Sequence, residues 1–110
     1  MASRTPIKFG DIYIARISYG HSTDQRPCIV VNPLVQNELE VLACSSQLDM
    51  FEPGLHFRIE DGHPDFKYTG LKRTSYANSD EKHILDTRDL GKFVGRLEGA
   101  LLAEFRKWYG

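Results

Sequence analysis

Cysteine is scarce in this chain of 110 residues: Cys28 and Cys44 are the only two. Two thiols cannot build the dense disulfide framework on which small secreted domains depend. Long apolar runs are missing as well. None approaches the roughly 20 residues that cross a bilayer, and Met1-Ala2-Ser3-Arg4-Thr5-Pro6 lacks the apolar centre of a secretory leader. These absences lead us to expect a cytoplasmic protein whose thiols stay reduced, each packed as a small hydrophobe in its strand. An excess of one charge sign is also lacking, because 14 basic and 15 acidic residues give a formal net charge of −1. That excludes a polybasic, histone-like binder and leaves open a local basic site.

Familiar catalytic signatures are absent too. The chain has no glycine-rich phosphate loop, no G-x-S-x-G and no Cys-x-x-Cys. His21, His56, His63 and His83 follow no recognised metal-ligand spacing, so neither a metal nor a cofactor is expected. A cysteine hydrolase built on Cys44 would need a base and an orienting partner that no motif supplies.

What remains fits a single domain over residues 1–110, since domains commonly run about 100–150 residues. Hydrophobic residues make up 41% and charged residues 26%, a globular balance. Asp11–Ser18 is rich in isoleucine and reads as a strand, followed by a polar loop over Tyr19–Gln25. Pro27–Val31 is a short β-branched run, ended by Asn32-Pro33, and reads as a buried strand. Glu38–Ser45 alternates, with Leu39, Val41 and Ala43 on one face and Glu40, Leu42 and Cys44 on the other. Ser46–Gly54 reads as a loop, Leu55–Ile59 as a strand, Glu60–Asp65 as turns and Leu71–Ala77 as a strand. Asp86-Thr87 caps a single helical turn through Leu90, and Lys92–Leu97 is a further strand interrupted by Gly95.

Leu97, Leu101, Leu102, Phe105, Trp108 and Tyr109 recur at helical spacing opposite Glu104, Arg106 and Lys107. That terminal helix has a weak start, because Glu98-Gly99 offers no capping side chain. Short strands with one helix leave no room for parallel crossovers. The expected class is mainly β (α+β): a curled antiparallel sheet or small barrel packed by one helix.

Charge is uneven along this pattern. Glu38–Asp65 carries seven acidic residues against one basic, whereas Phe66–Tyr76 carries only Lys67, Lys72 and Arg73. Three polar regions stand out against the apolar strands. In Gly20–Pro27, Arg26 sits at the mouth of a buried strand, with its backbone fixed and its head available for a phosphate or a surface salt bridge. Cys44-Ser45-Ser46-Gln47 places hydroxyls at a strand end, where they serve either a ligand or an ordinary turn. The third region is Leu71-Lys72-Arg73-Thr74-Ser75-Tyr76-Ala77-Asn78-Ser79-Asp80.

In order, these segments resemble the PemK/MazF family of toxin ribonucleases. The match begins with Gly10-Asp11-Ile12-Tyr13, Gln25-Arg26-Pro27-Cys28-Ile29-Val30-Val31 and Ser45-Ser46. It continues through Gly70-Leu71-Lys72-Arg73-Thr74-Ser75-Tyr76, Asp80 and Leu90-Gly91-Lys92-Phe93-Val94-Gly95-Arg96-Leu97, and so covers nearly the whole chain. The resemblance implies a small SH3-like barrel that forms a homodimer, cleaves single-stranded RNA without a metal and is neutralised by a cognate antitoxin. It gives Arg26 the place of the family's strand-opening arginine, and Ser45 that of its Thr or Ser. His21 falls in a loop where some members carry a functional histidine, one residue closer to the arginine than in those members. Asp80 stands on an acidic position that some members use, and Asn78 stands where those same members have an arginine.

Those residue types suit attack by a 2′-hydroxyl on the adjacent phosphorus, which needs a base, an acid and positive charge on the phosphorane oxygens. Arg26 would supply the charge and Ser45 a hydrogen bond. His21 and Asp80 are the candidate proton carriers, His21 being the more natural near neutral pH. Lys72, Arg73, Asn78, Ser46 and Tyr19 are the candidate RNA contacts. Tyr13, Tyr19 and Phe51 offer stacking faces. Two other readings keep the fold: a non-catalytic binder resembling gyrase-poisoning toxins, with Trp108 in an aromatic tail, and a diverged family member that no longer cuts.

Overall fold

The isoleucine-rich and valine-rich runs become strands in the computed structural model, which describes residues 6–33 and 37–110 apart from the Tyr19 side chain. Among the described residues the strands are β1 (Asp11–Tyr19), β2 (Ser22–Pro33), β3 (Glu38–Ser45), β4 (His56–Ile59), β5 (Ser75–Asp86) and β6 (Leu90–Arg96). They form one sheet in the order β4-β5-β3-β2-β1-β6, with every ladder antiparallel. The helix α1 covers Gly99–Tyr109. No helix among the described residues is long and apolar enough to cross a membrane.

Two segments depart from the local pattern. The expected loop over Tyr19–Gln25 is mostly strand: Arg16 pairs with Gln25, Ser18 with Thr23 and Tyr19 with Ser22, leaving only Gly20-His21 as the turn. Polar residues hold this arm because its side chains face water while its backbone groups pair. β5 begins later than expected and runs much farther, to Asp86. It borrows its order from β3, pairing Lys82 with Leu42 and Leu85 with Leu39, although Asn78–Lys82 has no apolar alternation of its own.

The alternation of β3 divides the interior into two cores. Leu42 and Cys44 join Ile12, Ile29, Phe57, Leu97, Leu101 and Phe105 beneath the helix. Leu39, Val41 and Ala43 join Ala15, Ile17, Cys28 and Val30 on the other side. The poorly capped start of α1 is rescued from afar, since Asp65 Oδ2 accepts from Ala100 N at 3.0 Å and Leu101 N at 3.4 Å. A carboxylate there also faces the positive end of the helix dipole.

The sheet curls without closing, and β4 and β6 remain its two edges. A loop bridges the gap instead. A Cβ at Gly95 would collide with the Tyr68 and Thr69 carbonyl oxygens, and one at Gly70 with the Val94 carbonyl oxygen. Glycine therefore lets the 66–70 segment lie directly on β6. Thr69 is fully buried there, donating through Oγ1 to Phe66 O at 2.7 Å and accepting from Leu71 N at 3.1 Å.

Candidate active site

Pro27 restricts the residue before it to extended backbone, so Arg26 starts from a fixed strand. Cys28 on β2 pairs with Ala43 on β3, and two more residues along this register bring Arg26 level with Ser45. Both border a cleft of about 560 Å³ at this end of the sheet. Ile14, Pro27, Leu71 and Val94 give it an apolar lining, and Ser46, Lys72, Arg73 and Lys92 contribute polar groups. The segment carrying Lys72 and Arg73 is tied down on both sides. Ser75 Oγ donates to Arg73 O at 3.0 Å, and Thr74 Oγ1 accepts from Asp61 N at 3.0 Å. Ser45 Oγ accepts from Gln47 N at 3.1 Å, which fixes the turn that presents Ser46.

The Arg26 guanidinium is held by two carboxylates. Its Nη1 donates to Glu81 Oε2 at 3.1 Å, and its Nε lies 3.6 Å from Asp24 Oδ2. The salt bridge weighed as the plain role for Arg26 thus exists, and it sits at the rim of the cleft. Burial pushes the Cys28 thiol up to about 12, with the Arg26 charge opposing and the Glu81 charge reinforcing the shift. Burial raises the Cys44 thiol as well. Cys44 lines the cleft, yet its protonated thiol is no nucleophile there.

The other sequence candidates stand apart from this cleft. His21 is exposed at the hairpin turn. Asp80 is exposed on β5, where its N–H donates to Asn78 Oδ1 at 2.8 Å, and Asn78 pairs across the sheet with His56. Tyr13 packs edge-on against Phe93 at 5.3 Å between ring centroids, and Phe51 against Tyr76 at 5.8 Å. The Tyr19 side chain lies outside the described residues. Among those residues, no group of three or more His, Cys, Asp or Glu side chains is placed to hold a metal ion.

The family model for the PemK-like, MazF-like toxin of type II toxin-antitoxin systems matches residues 8–108. The chain belongs to this family. The PemK/MazF-like chain also shares its fold with solved structures. Mycobacterium tuberculosis toxin MazF-mt6 superposes with a TM-score of 0.69 at 16% identity, over 91% of this chain and 92% of that one. An endoribonuclease in complex with its cognate antitoxin, from mycobacterial species, superposes with a TM-score of 0.66 at 18% identity, over 94% and 90%. No curated protein matches the chain significantly.

Two residues of this PemK/MazF-like site escaped the sequence reading. Lys92 lies on β6, far along the chain from Arg26, and the β2-β1-β6 order of the sheet brings it to the cleft. Glu81 follows Asp80 directly and carries no local signal. It reaches Arg26 through a break in register. Between the pairs Cys44–Ala77 and Leu42–Lys82, β3 spends Ala43 alone while β5 spends Asn78, Ser79, Asp80 and Glu81. Bulges of this kind redirect side chains and recur beside active sites.

Proposed function

We propose that this family member is an endoribonuclease toxin that cuts single-stranded RNA by attack of a 2′-hydroxyl on the neighbouring phosphorus, without a metal. The observation that carries this reading is the convergence of Arg26, Ser45, Ser46, Lys72 and Arg73 on one cleft. These residues come from β2, the end of β3 and the loop before β5. Arg26 spreads positive charge over two phosphoryl oxygens as the phosphorane forms, and Ser45 donates one hydrogen bond. Lys72 and Arg73 hold flanking phosphates, and the apolar lining accepts an unstacked base. Pairing of two copies into a homodimer, and neutralisation by a cognate antitoxin, belong to the same reading.

The alternative of an aromatic tail that poisons a gyrase requires Trp108 to be available. Its ring instead packs at 5.6 Å from Phe57 and 5.7 Å from Phe105. The test is incubation of the purified protein with a long single-stranded RNA and excess chelator. Discrete fragments ending in cyclic phosphates are expected. Intact RNA both with and without chelator would overturn the reading, and topoisomerase inhibition in its place would select the binder.

A further inference from the structure

The 2′-hydroxyl cannot attack until something accepts its proton, and the two carriers expected from the family stand away from the cleft. His21 is at the hairpin turn, and Asp80 points into solvent from β5. A different carboxylate touches the guanidinium that borders the cleft. Glu81 Oε2 accepts from Arg26 Nη1 at 3.1 Å, with its side chain 36% exposed. Asp24, its rival beside Arg26, is 61% exposed and lies 3.6 Å from Nε.

We propose that Glu81 is the general base of the cleavage reaction. The proposal rests on the endoribonuclease reading. A phosphate on the Arg26 guanidinium lies one hydrogen bond from a group that itself touches Glu81. The 2′-hydroxyl is separated from that phosphate only by the ribose carbons C2′ and C3′. Arg26 therefore brings the proton to be removed into the neighbourhood of the carboxylate. The bulge of β5 is what brings Glu81 to Arg26, since four residues of β5, Asn78–Glu81, there stand against Ala43 alone on β3. The field of Glu81 also reaches the cleft, where it contributes to the raised Cys44 thiol.

The step balances within the substrate. The 2′-O–H bond breaks and its proton passes to the Glu81 carboxylate while the oxygen bonds to phosphorus. The P–O5′ bond breaks, and the 5′-oxygen leaves with the electron pair and takes a proton from solvent. Glu81 then returns its proton to solvent. The products are a 2′,3′-cyclic phosphate and a 5′-hydroxyl, with no co-reactant.

Single-turnover cleavage of a short RNA, followed as a function of pH, tests this. The titratable and charged groups near Glu81 include Arg26, Asp24 and Cys28 on β2, Cys44 on β3, and Asp80, Lys82 and His83 on β5. D24N and D80N are therefore run alongside E81Q. The parent rate should fall with pH as the base becomes protonated. E81Q keeps an oxygen for Arg26 but accepts no proton, so it should lose that acidic limb and slow by about 100–10,000-fold. It should still bind a 2′-O-methyl version of the RNA at least as tightly as the parent, because a negative charge beside the phosphate is gone.

An E81Q rate equal to the parent's overturns the proposal. So does a slow E81Q that keeps the acidic limb and binds the analogue poorly, which would leave Glu81 only a holder of Arg26. Loss of the limb in D24N or D80N with its survival in E81Q moves the base elsewhere and overturns it as well. Circular dichroism monitors folding. If E81Q does not fold, E81D decides, slowed with its limb retained if the proposal holds and unchanged in rate if it fails. A parent that cuts no RNA overturns the endoribonuclease reading itself, an outcome distinct from all of these.

Discussion

Two kinds of cation border the cleft, and they differ in how they are held. Arg26 sits on a central strand, about a quarter exposed, with carboxylates on two of its nitrogens. Lys72 and Arg73 lie on a loop and Lys92 on an edge strand, all three exposed. A fixed guanidinium pays little reorganisation when charge develops in a transition state. Exposed, hydrated cations attract a polyanion equally well before and during reaction, which strengthens binding and leaves turnover alone. On the proposed function, the paired guanidinium serves the chemistry and the three exposed cations serve capture of the RNA.

The sharpest way to break it is Arg26→Ala. We expect a loss of about 100–1000-fold in single-turnover cleavage, the usual cost of removing a preorganised donor to a developing oxyanion. Arg26→Lys should also be clearly impaired, because an ammonium is a point charge without the planar fork that matches two phosphoryl oxygens. Parent-like cutting by Arg26→Ala in a folded protein would place the chemistry elsewhere. Ser45→Ala should cost less, about two- to tenfold, the worth of one neutral hydrogen bond of roughly 0.5–1.5 kcal/mol.

The rim cations should behave differently in kind. Lys72→Ala, Arg73→Ala and Lys92→Ala should each raise KM with kcat nearly unchanged. Each should also flatten the salt dependence of RNA binding by about 0.7 in log–log slope, the value for one phosphate contact on a single strand. A loss confined to kcat in any of them would erase the distinction drawn here.

The smallest effect concerns the thiol beneath Arg26. Folding raises Cys28 from 9.0 to about 12, so its contribution to stability is whole below pH 9 and is lost as pH climbs towards 12. Denaturant midpoints between pH 8 and 12 should therefore fall more steeply for the parent than for Cys28→Ala. Iodoacetamide at pH 8 should leave both thiols unmodified until the chain unfolds.

Legibility in the sequence followed the apolar pattern. β1 and β3 and the apolar half of β2 were readable because Ile, Val and Leu mark which side faces a core, and Asp86 does cap its turn by accepting from Arg88 N at 2.8 Å. The polar arm Ser22–Gln25 and the far half of β5 were not readable, because their order comes from ladder partners distant in sequence. The helix was visible from its spacing, while its cap was not, since Asp65 stands 35 residues before Ala100. The site divides in the same way. Arg26, Ser45, Ser46, Lys72 and Arg73 were nameable from the ordered motifs, and the structure gathers them into one cleft.

By itself the sequence determined the class, the two-faced strands, the terminal helix and the residues able to meet a phosphate. Those features depend on side-chain period and residue chemistry, which are local. Tertiary structure alone decided that a loop and not a ladder covers the open side of the sheet, that Lys92 reaches the cleft, and that Glu81 rather than Asp80 meets Arg26. The reason is geometric. A bulge or a curl changes where a side chain ends up without changing which residue carries it, so no local pattern of amino acids records the outcome.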